Sequence, residues 1–293
     1  MKKFIWKMFI CISFITLSIN LISASPLDVL SNKKNETLIV RDSDSITGLP
    51  DRFRDIPTLN ISGSAQFTSE QANNLKDTIN KPNICIVDLR QESHGLVNNY
   101  AISFFNPTKD LNNGFTTEQT IKTEDALLSK IKLNENLNIY RKTGIPFKEV
   151  TVDFVSNESS VVNKAGMEYK RYAVRDNGAP TAEIVDQFVE FVKTKPSDLH
   201  LHFHCDAGEG RTTTFMSMYQ ILMNNTNLSL DQITSYQYNV GGINLHDNKV
   251  QFEFLEDFYN YVSKNKSNNY NTNTSSNRNG GSWIERIFGK WSD

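Results

Sequence analysis

The sequence predicts an α/β fold, a mixed sheet flanked by helices, on three observations. Strand-like and helix-like runs alternate along the chain. One of them, NICIVDLR (83–90), is continuously apolar and reads as a central buried strand. Another, LHLHFH (199–204), runs through a short Gly-containing loop straight into a helix. A chain of 293 residues, 22% charged and 38% hydrophobic, suits one such domain with tails and a small insertion. Its formal net charge of −2 argues against a nucleic-acid partner, so any anion recognition has to be local.

Taken in order, ETLIVR (36–41) is β-rich, and LNISGSAQF (59–67) holds a short strand. Thr68 and Gln71 form a capping box that opens a helix to about Ile79. The strands NICIVDLR and YAISFF (100–105) follow. Thr116 and Gln119 open a second helix, roughly 117–131. LNIY and EVTVDFV are strands, and ESSVVNKAG is a short helix ending at Gly166. YKRYAV (169–174) is a strand, then come a helix over 181–194, the strand 199–204, and helices over 211–224, about 230–238 and about 248–264. In the helix over 211–224, Phe215, Met218, Tyr219 and Leu222 recur at helical spacing and predict one buried face. The stretch from Arg90 to Asp176 exceeds one crossover, so a small embellishment is expected within about 105–165.

The ends read differently. Lys2, Lys3 and Lys7, the apolar run Met8–Ile22 and the small residues Ser23, Ala24 and Ser25 predict a signal peptide over 1–24, with a retained membrane anchor as the alternative. The protein is then expected to be secreted, or periplasmic or cell-envelope associated. Cleavage removes Cys11 and leaves Cys85, expected as a buried free thiol, and Cys205. The folded domain is expected over 36–263. The Asn-rich stretch 264–282 has little to bury and reads as a linker. In 283–293, Trp283, Ile284, Ile287, Phe288 and Trp291 share one helical face. That face either docks back on the domain or contacts a membrane or partner.

The chemistry concentrates in HCDAGEGRT (204–212). Cys205 and Arg211 bracket Asp206, Ala207, Gly208, Glu209 and Gly210, between a strand and a helix. Such a loop can turn successive N–H groups inward at a helix N-terminus, where they bind a tetrahedral phosphate and favour an anionic sulfur. Gly208 and Gly210 permit backbone angles that a side chain opposes. Arg211 can hold two phosphate oxygens, Thr212 can hydrogen-bond the sulfur, and His204 supports the loop. A phosphate-attacking cysteine needs a general acid, and Asp176, on a loop shaped by Gly178 and Pro180, is the candidate. Asp88, Arg90, Glu92 and His94 read as a buried polar network bracing the loop. No Cys/His pair has the spacing of a structural zinc site, and no metal or cofactor is expected.

HFHCDAGEGRTT, IVDLRQESHGLVNN, LNISGSAQF and AGMEYKRYAVRDNGAPTAEIVDQF together resemble the bacterial protein-tyrosine-phosphatase-like inositol polyphosphate phosphatases, the cysteine phytases, over about Arg41 to Ser263. The resemblance implies a tyrosine-phosphatase-like core, a cysteinyl-phosphate intermediate, no metal, and hydrolysis of inositol phosphates or other phosphomonoesters. It also implies substrate contacts at Arg41, Asp110, Lys142 and Asn177. Four positions depart from the family pattern. Asn177 stands where histidine is common and Ala179 where an aromatic is. Glu209 adds a carboxylate, and Lys249 stands alone where relatives carry a lysine-rich stretch. Most of these lower the positive potential around a multiply phosphorylated substrate. A phosphotyrosine or phosphoinositide phosphatase is therefore the alternative. A non-catalytic phosphate-binding module is disfavoured by the intact nucleophile, arginine and acid.

Overall fold

The computed structural model describes residues 37–106, 108, 111–266 and 283–291. The expected signal peptide, most of the expected linker, and Asp110 lie outside the described residues. The chain runs through β1 (Leu38–Arg41), β2 (Arg54–Ile56), a 3-10 turn and β3 (Ile61–Ser64) into α1 (Ser69–Ile79). Both bonds of the Thr68/Gln71 capping box are present. Then come β4 (Ile84–Arg90), β5 (His94–Val97), β6 (Tyr100–Phe105) and α2 (Thr117–Leu128), the last opened by the Thr116/Gln119 box. β7 (Asn136–Tyr140), β8 (Pro146–Thr151) and β9 (Val155–Ser156) lead to α3 (Glu158–Lys164), β10 (Glu168–Val174), α4 (Ala182–Thr194) and β11 (His200–His204). α5 (Gly210–Met223), α6 (Leu230–Asn239), α7 (Lys249–Asn265) and α8 (Trp283–Phe288) follow.

The expected mixed sheet is present, but it has a companion. A 5-stranded sheet runs β10-β4-β11-β3-β2, parallel except for β2, and a 6-stranded sheet runs β8-β7-β1-β6-β5-β9. The embellishment is therefore larger than expected and is not confined to 105–165, because β1, β5 and β6 belong to it. EVTVDFV is not one strand either: its start pairs with β7 and its end with β5, on opposite edges of the second sheet. α7 runs past the expected domain boundary at 263 to Asn265.

Side-chain alternation in the central sheet separates two cores. Leu201 and Phe203 of β11, with Cys85, Val87 and Leu89 of β4, face α4, α5, α6 and α7. Ile84 and Ile86 face α1 and α3, while a third cluster sits between the second sheet and α2. Burial around α5 exceeds the expected single face. Every residue from Arg211 to Leu222 is buried, because the helix lies between the sheet and α6 and α7. Two of its hydroxyls are satisfied within the helix, Thr214 Oγ1 donating to the Gly210 carbonyl at 2.9 Å and Ser217 Oγ to the Thr213 carbonyl at 2.8 Å. Cys85 is a buried free thiol, and burial pushes it up to about 12. Phe288 of the C-terminal segment is fully buried against Phe254, Phe258 and Tyr261. Among the described residues no helix is long and apolar enough to cross a membrane.

Candidate active site

Because β3, β4, β10 and β11 run parallel, their C-terminal ends open on one side of the sheet, where open α/β sheets bind ligands. Cys205 follows β11, Glu92 follows β4, Asp176 follows β10 and Gln66 follows β3. Gln66 N–H donates to the Asp206 carbonyl at 3.0 Å and ties the loop after β3 to the Cys205 loop. Gly208 adopts a left-handed φ of 70°, and a Cβ there would meet Ala65 N at 2.5 Å. Gly210 does not adopt a left-handed angle. It is small for a different reason, since a Cβ would meet Gln251 Oε1 at 2.6 Å.

Cys205 is buried, and Thr212 Oγ1 donates to its sulfur at 3.1 Å. Arg211 Nη1 and Nη2 donate to the two Glu92 carboxylate oxygens at 2.6 and 2.8 Å, and Nη1 also reaches the Val174 carbonyl at 3.1 Å. Its Nη2 lies 3.4 Å from Asp176 Oδ1. Burial opposes a charge on Glu92, yet the Arg211 and Arg90 guanidiniums hold its carboxyl well below the usual range. Glu92 therefore does more than brace: it aims Arg211 and lines the cavity. Asp88, Arg90 and His94 are fully buried, as expected of a supporting network. Arg90 reaches Asp42 at 3.0 Å and Gln66 Oε1 at 2.7 Å. His204 Nε2 lies 2.7 Å from Glu158 Oε1, behind the loop. Asp88, His94 and Glu158 bring ligand-type atoms within 4.8 Å of one another. However, Arg171 already sits 3.1 Å from the Asp88 oxygen, so an arginine answers this charge.

The cavity beside the loop has a volume of about 340 Å³ and is walled by Val40, Phe104, Phe105 and Leu111 as well as by Arg90, Glu92, Lys142, Arg175, Asp176, Asn177 and Asp206. Lys142 pairs with Asp206 and lies 3.9 Å from Asp42. Burial and Asp42 push the Asp206 carboxyl up. Asn177 lines the cavity at a left-handed φ of 59°, its Nδ2 3.3 Å from Asp176 Oδ2. Arg41 falls in an adjoining cleft with Arg52, Arg141, Lys142 and Ala207. There it pairs with Asp44 and lies 4.0 Å over the Phe147 ring. Glu209 pairs with Arg52 at 2.7 Å, which offsets the carboxylate the sequence places in the loop. Lys249 pairs with Glu253 at 3.6 Å, and Ala179 is buried in the core.

Three residues at the site carry no motif. Arg175 signals itself only by adjacency to Asp176. Gln251 is fully buried beside Gly210 and donates to the Gly178 carbonyl at 3.3 Å, linking the two loops. Arg54 reaches the loop from an edge strand.

Residues 87–223 match the PTP-like phytase family model, described as inositol hexakisphosphate. The PTP-like myo-inositol phosphatase from Mitsuokella multacida, solved with myo-inositol-(1,3,4,5)-tetrakisphosphate, is 29% identical at a TM-score of 0.71, covering 82% of this chain and 48% of its own. A PTP-like phytase from Bdellovibrio bacteriovorus is 26% identical at a TM-score of 0.71, covering 87% of this chain and 95% of its own. Effector protein hopD2 of Pseudomonas syringae pv. tomato is 28% identical over 233 residues, 71% of this chain and 49% of its own length. The chain thus spans about half the length of the Mitsuokella and Pseudomonas proteins.

Proposed function

We propose, from the match of residues 87–223 to the PTP-like phytase family and the likeness to solved PTP-like phytases, that the chain is a cysteine-dependent phosphomonoesterase acting on myo-inositol phosphates. The observation that carries the reading is the Cys205 sulfur, 3.1 Å from Thr212 Oγ1, in a loop whose closing arginine lies between Glu92 and Asp176. The Mitsuokella relative, bound to an inositol tetrakisphosphate, supports the substrate class.

The reaction proceeds in two displacements. The Cys205 sulfur anion attacks phosphorus in line as the P–O bond to inositol breaks, and Asp176 protonates the departing oxygen. The Arg211 guanidinium and the loop amides bind the non-bridging oxygens, whose charge has to be held in place throughout. Water then attacks the cysteinyl phosphate, Asp176 takes a proton from it, and the P–S bond breaks to release phosphate and the sulfur anion. Thr212, donating to that sulfur, stabilises it as the leaving group.

A second reading, hydrolysis of a phosphate carried on an aromatic ring or a lipid, has one observation in its favour. Phe104, Phe105, Leu111 and Val40 give the cavity an apolar wall, which suits a flat or acyl-bearing leaving group better than a polyhydroxylated one. Phosphate release from inositol hexakisphosphate, inositol tetrakisphosphate, a phosphotyrosine peptide and a phosphoinositide micelle, for wild type and Cys205→Ser, tests both. Faster turnover of an inositol phosphate, abolished by the substitution, is the expected result. Faster turnover of peptide or lipid selects the second reading, and activity that survives Cys205→Ser ends both.

A further inference from the structure

Among the described residues four arginines are buried, and three of them have carboxylate partners. Arg90 pairs with Asp42 and Glu92, Arg171 with Asp88 and Glu124, and Arg211 with Glu92. Arg54 is 4% exposed, and among the described residues no carboxylate lies within ion-pair distance of it. A buried cation without a counter-charge is costly, so something must answer this one.

Arg54 lies on β2, opposite Gly63 of β3. Its Nη1 donates to the Gly208 carbonyl at 2.9 Å and the Arg52 carbonyl at 3.1 Å, its Nη2 to Thr213 Oγ1 at 3.3 Å, and its Nε has no partner. The guanidinium therefore grips the loop from behind, at the residue whose left-handed backbone sets the curve. We propose that Arg54 is a positioning residue and counter-cation for the Cys205 sulfur anion, holding the Gly208 carbonyl and supplying, from beneath the loop, positive charge distinct from that of Arg211. This rests on Cys205 being the nucleophile. Burial pushes the guanidinium down to about 10, while the Cys205 charge raises it and Arg52 lowers it further. It is still protonated at neutral pH, and a thiolate at Cys205 is the anion that favours this charge.

Division of labour follows from the geometry. Arg211 is already engaged by Glu92 and must share its donors with incoming phosphate. Arg54 stays behind the loop and keeps its charge near the sulfur before substrate arrives and again as the P–S bond breaks.

The test reads the thiol without substrate: the rate of Cys205 alkylation by neutral iodoacetamide against pH, followed by peptide mass spectrometry, in full-length wild type, Arg54→Gln and Arg54→Lys. Gln keeps hydrogen-bond donors and loses the charge, whereas Lys keeps the charge. The expected result is an upward shift of the Arg54→Gln midpoint by about one pH unit, so that alkylation below both midpoints is about tenfold slower, with Arg54→Lys close to wild type. Equal profiles for all three, or equal shifts in both variants, overturn the proposal, the second because hydrogen-bond geometry then matters and charge does not. Should Arg54→Gln not fold, Arg54→Lys decides alone, and a full-unit shift there overturns it. Failure of the phosphatase reading shows separately, as activity retained by Cys205→Ser.

Discussion

The Thr212 hydroxyl is fully buried and donates to the Cys205 sulfur at 3.1 Å. Thr212→Val keeps the shape and removes the donor. A hydrogen bond to a developing sulfur anion contributes about 1–2 kcal/mol, so the second displacement is expected to slow about tenfold. Rapid-quench kinetics should then show a burst of alcohol product, with phosphate trapped on Cys205; linear product formation at an unchanged rate contradicts the assignment. Arg211→Lys removes the paired donors while keeping a charge, and kcat is expected to fall by at least about 10²-fold. The grouping of Cys205, Arg211 and Thr212 is legible in the sequence because one strand, loop and helix carry all three. Glu92 is not, since the arginine it aims lies 119 positions away and only sheet closure brings them together. Arg54 is hidden in the same way, 154 positions from the carbonyl it holds.

Gly208 and Gly210 look alike in the sequence and act differently in the loop element. A Cβ at Gly208 meets Ser64 and Ala65 backbone, which cannot step aside, at a φ that L-residues avoid. Gly208→Ala is therefore expected to cost about 1–3 kcal/mol of stability and to abolish turnover. At Gly210 the obstacle is the Gln251 side chain, which can rotate. Gly210→Ala should leave the urea midpoint nearly unchanged but break the Gln251 bond to the Gly178 carbonyl and lower kcat. Equal stability losses in the two variants would refute this distinction. Helix starts were readable because capping boxes are local: Thr68/Gln71 and Thr116/Gln119 form as expected. β2, β5 and β9 were not, because short strands take their identity from the partner they pair with rather than from their own residues. The one-face reading of α5 missed how α6 and α7 close over its far side.

At the scale of the molecule, buried titrating groups set the pH range of stability. Burial and Arg90 oppose charge on His94, but Glu124 and Asp88 outweigh them and raise it above 6.5. A raised histidine contributes stability fully present below 6.5 and lost as pH rises through its folded value. Burial lowers His200 to about 4 and His202 well below 6.5. Their contribution is present above 6.5 and lost as pH falls. Glu158 and Glu92, held well below 4.5 by His204 and Arg211 against the cost of burial, add a second acid loss below that value. The urea midpoint is thus expected to peak near pH 6.5, about the ordinary histidine value, and to decline on both sides; a midpoint still climbing at pH 9 contradicts the His94 assignment. The C-terminal segment bears on stability separately. Phe288 is fully buried with ring centroids 5.5 Å from Phe254 and 6.0 Å from Tyr261, and Lys290 lies 2.7 Å from Asp257. While docked, Phe288 cannot serve a membrane or partner surface. In a fixed core Phe→Ala costs about 3–5 kcal/mol, but a short segment packed on the outside of α7 can leave instead of enclosing a cavity. Phe288→Ala should therefore cost less than that, only the free energy of docking, and should expose Phe254 and Phe258. Tryptophan emission is expected to shift red at urea concentrations where the far-ultraviolet circular dichroism is still native. Coincident transitions by the two probes would mean that the segment unfolds with the core as one unit.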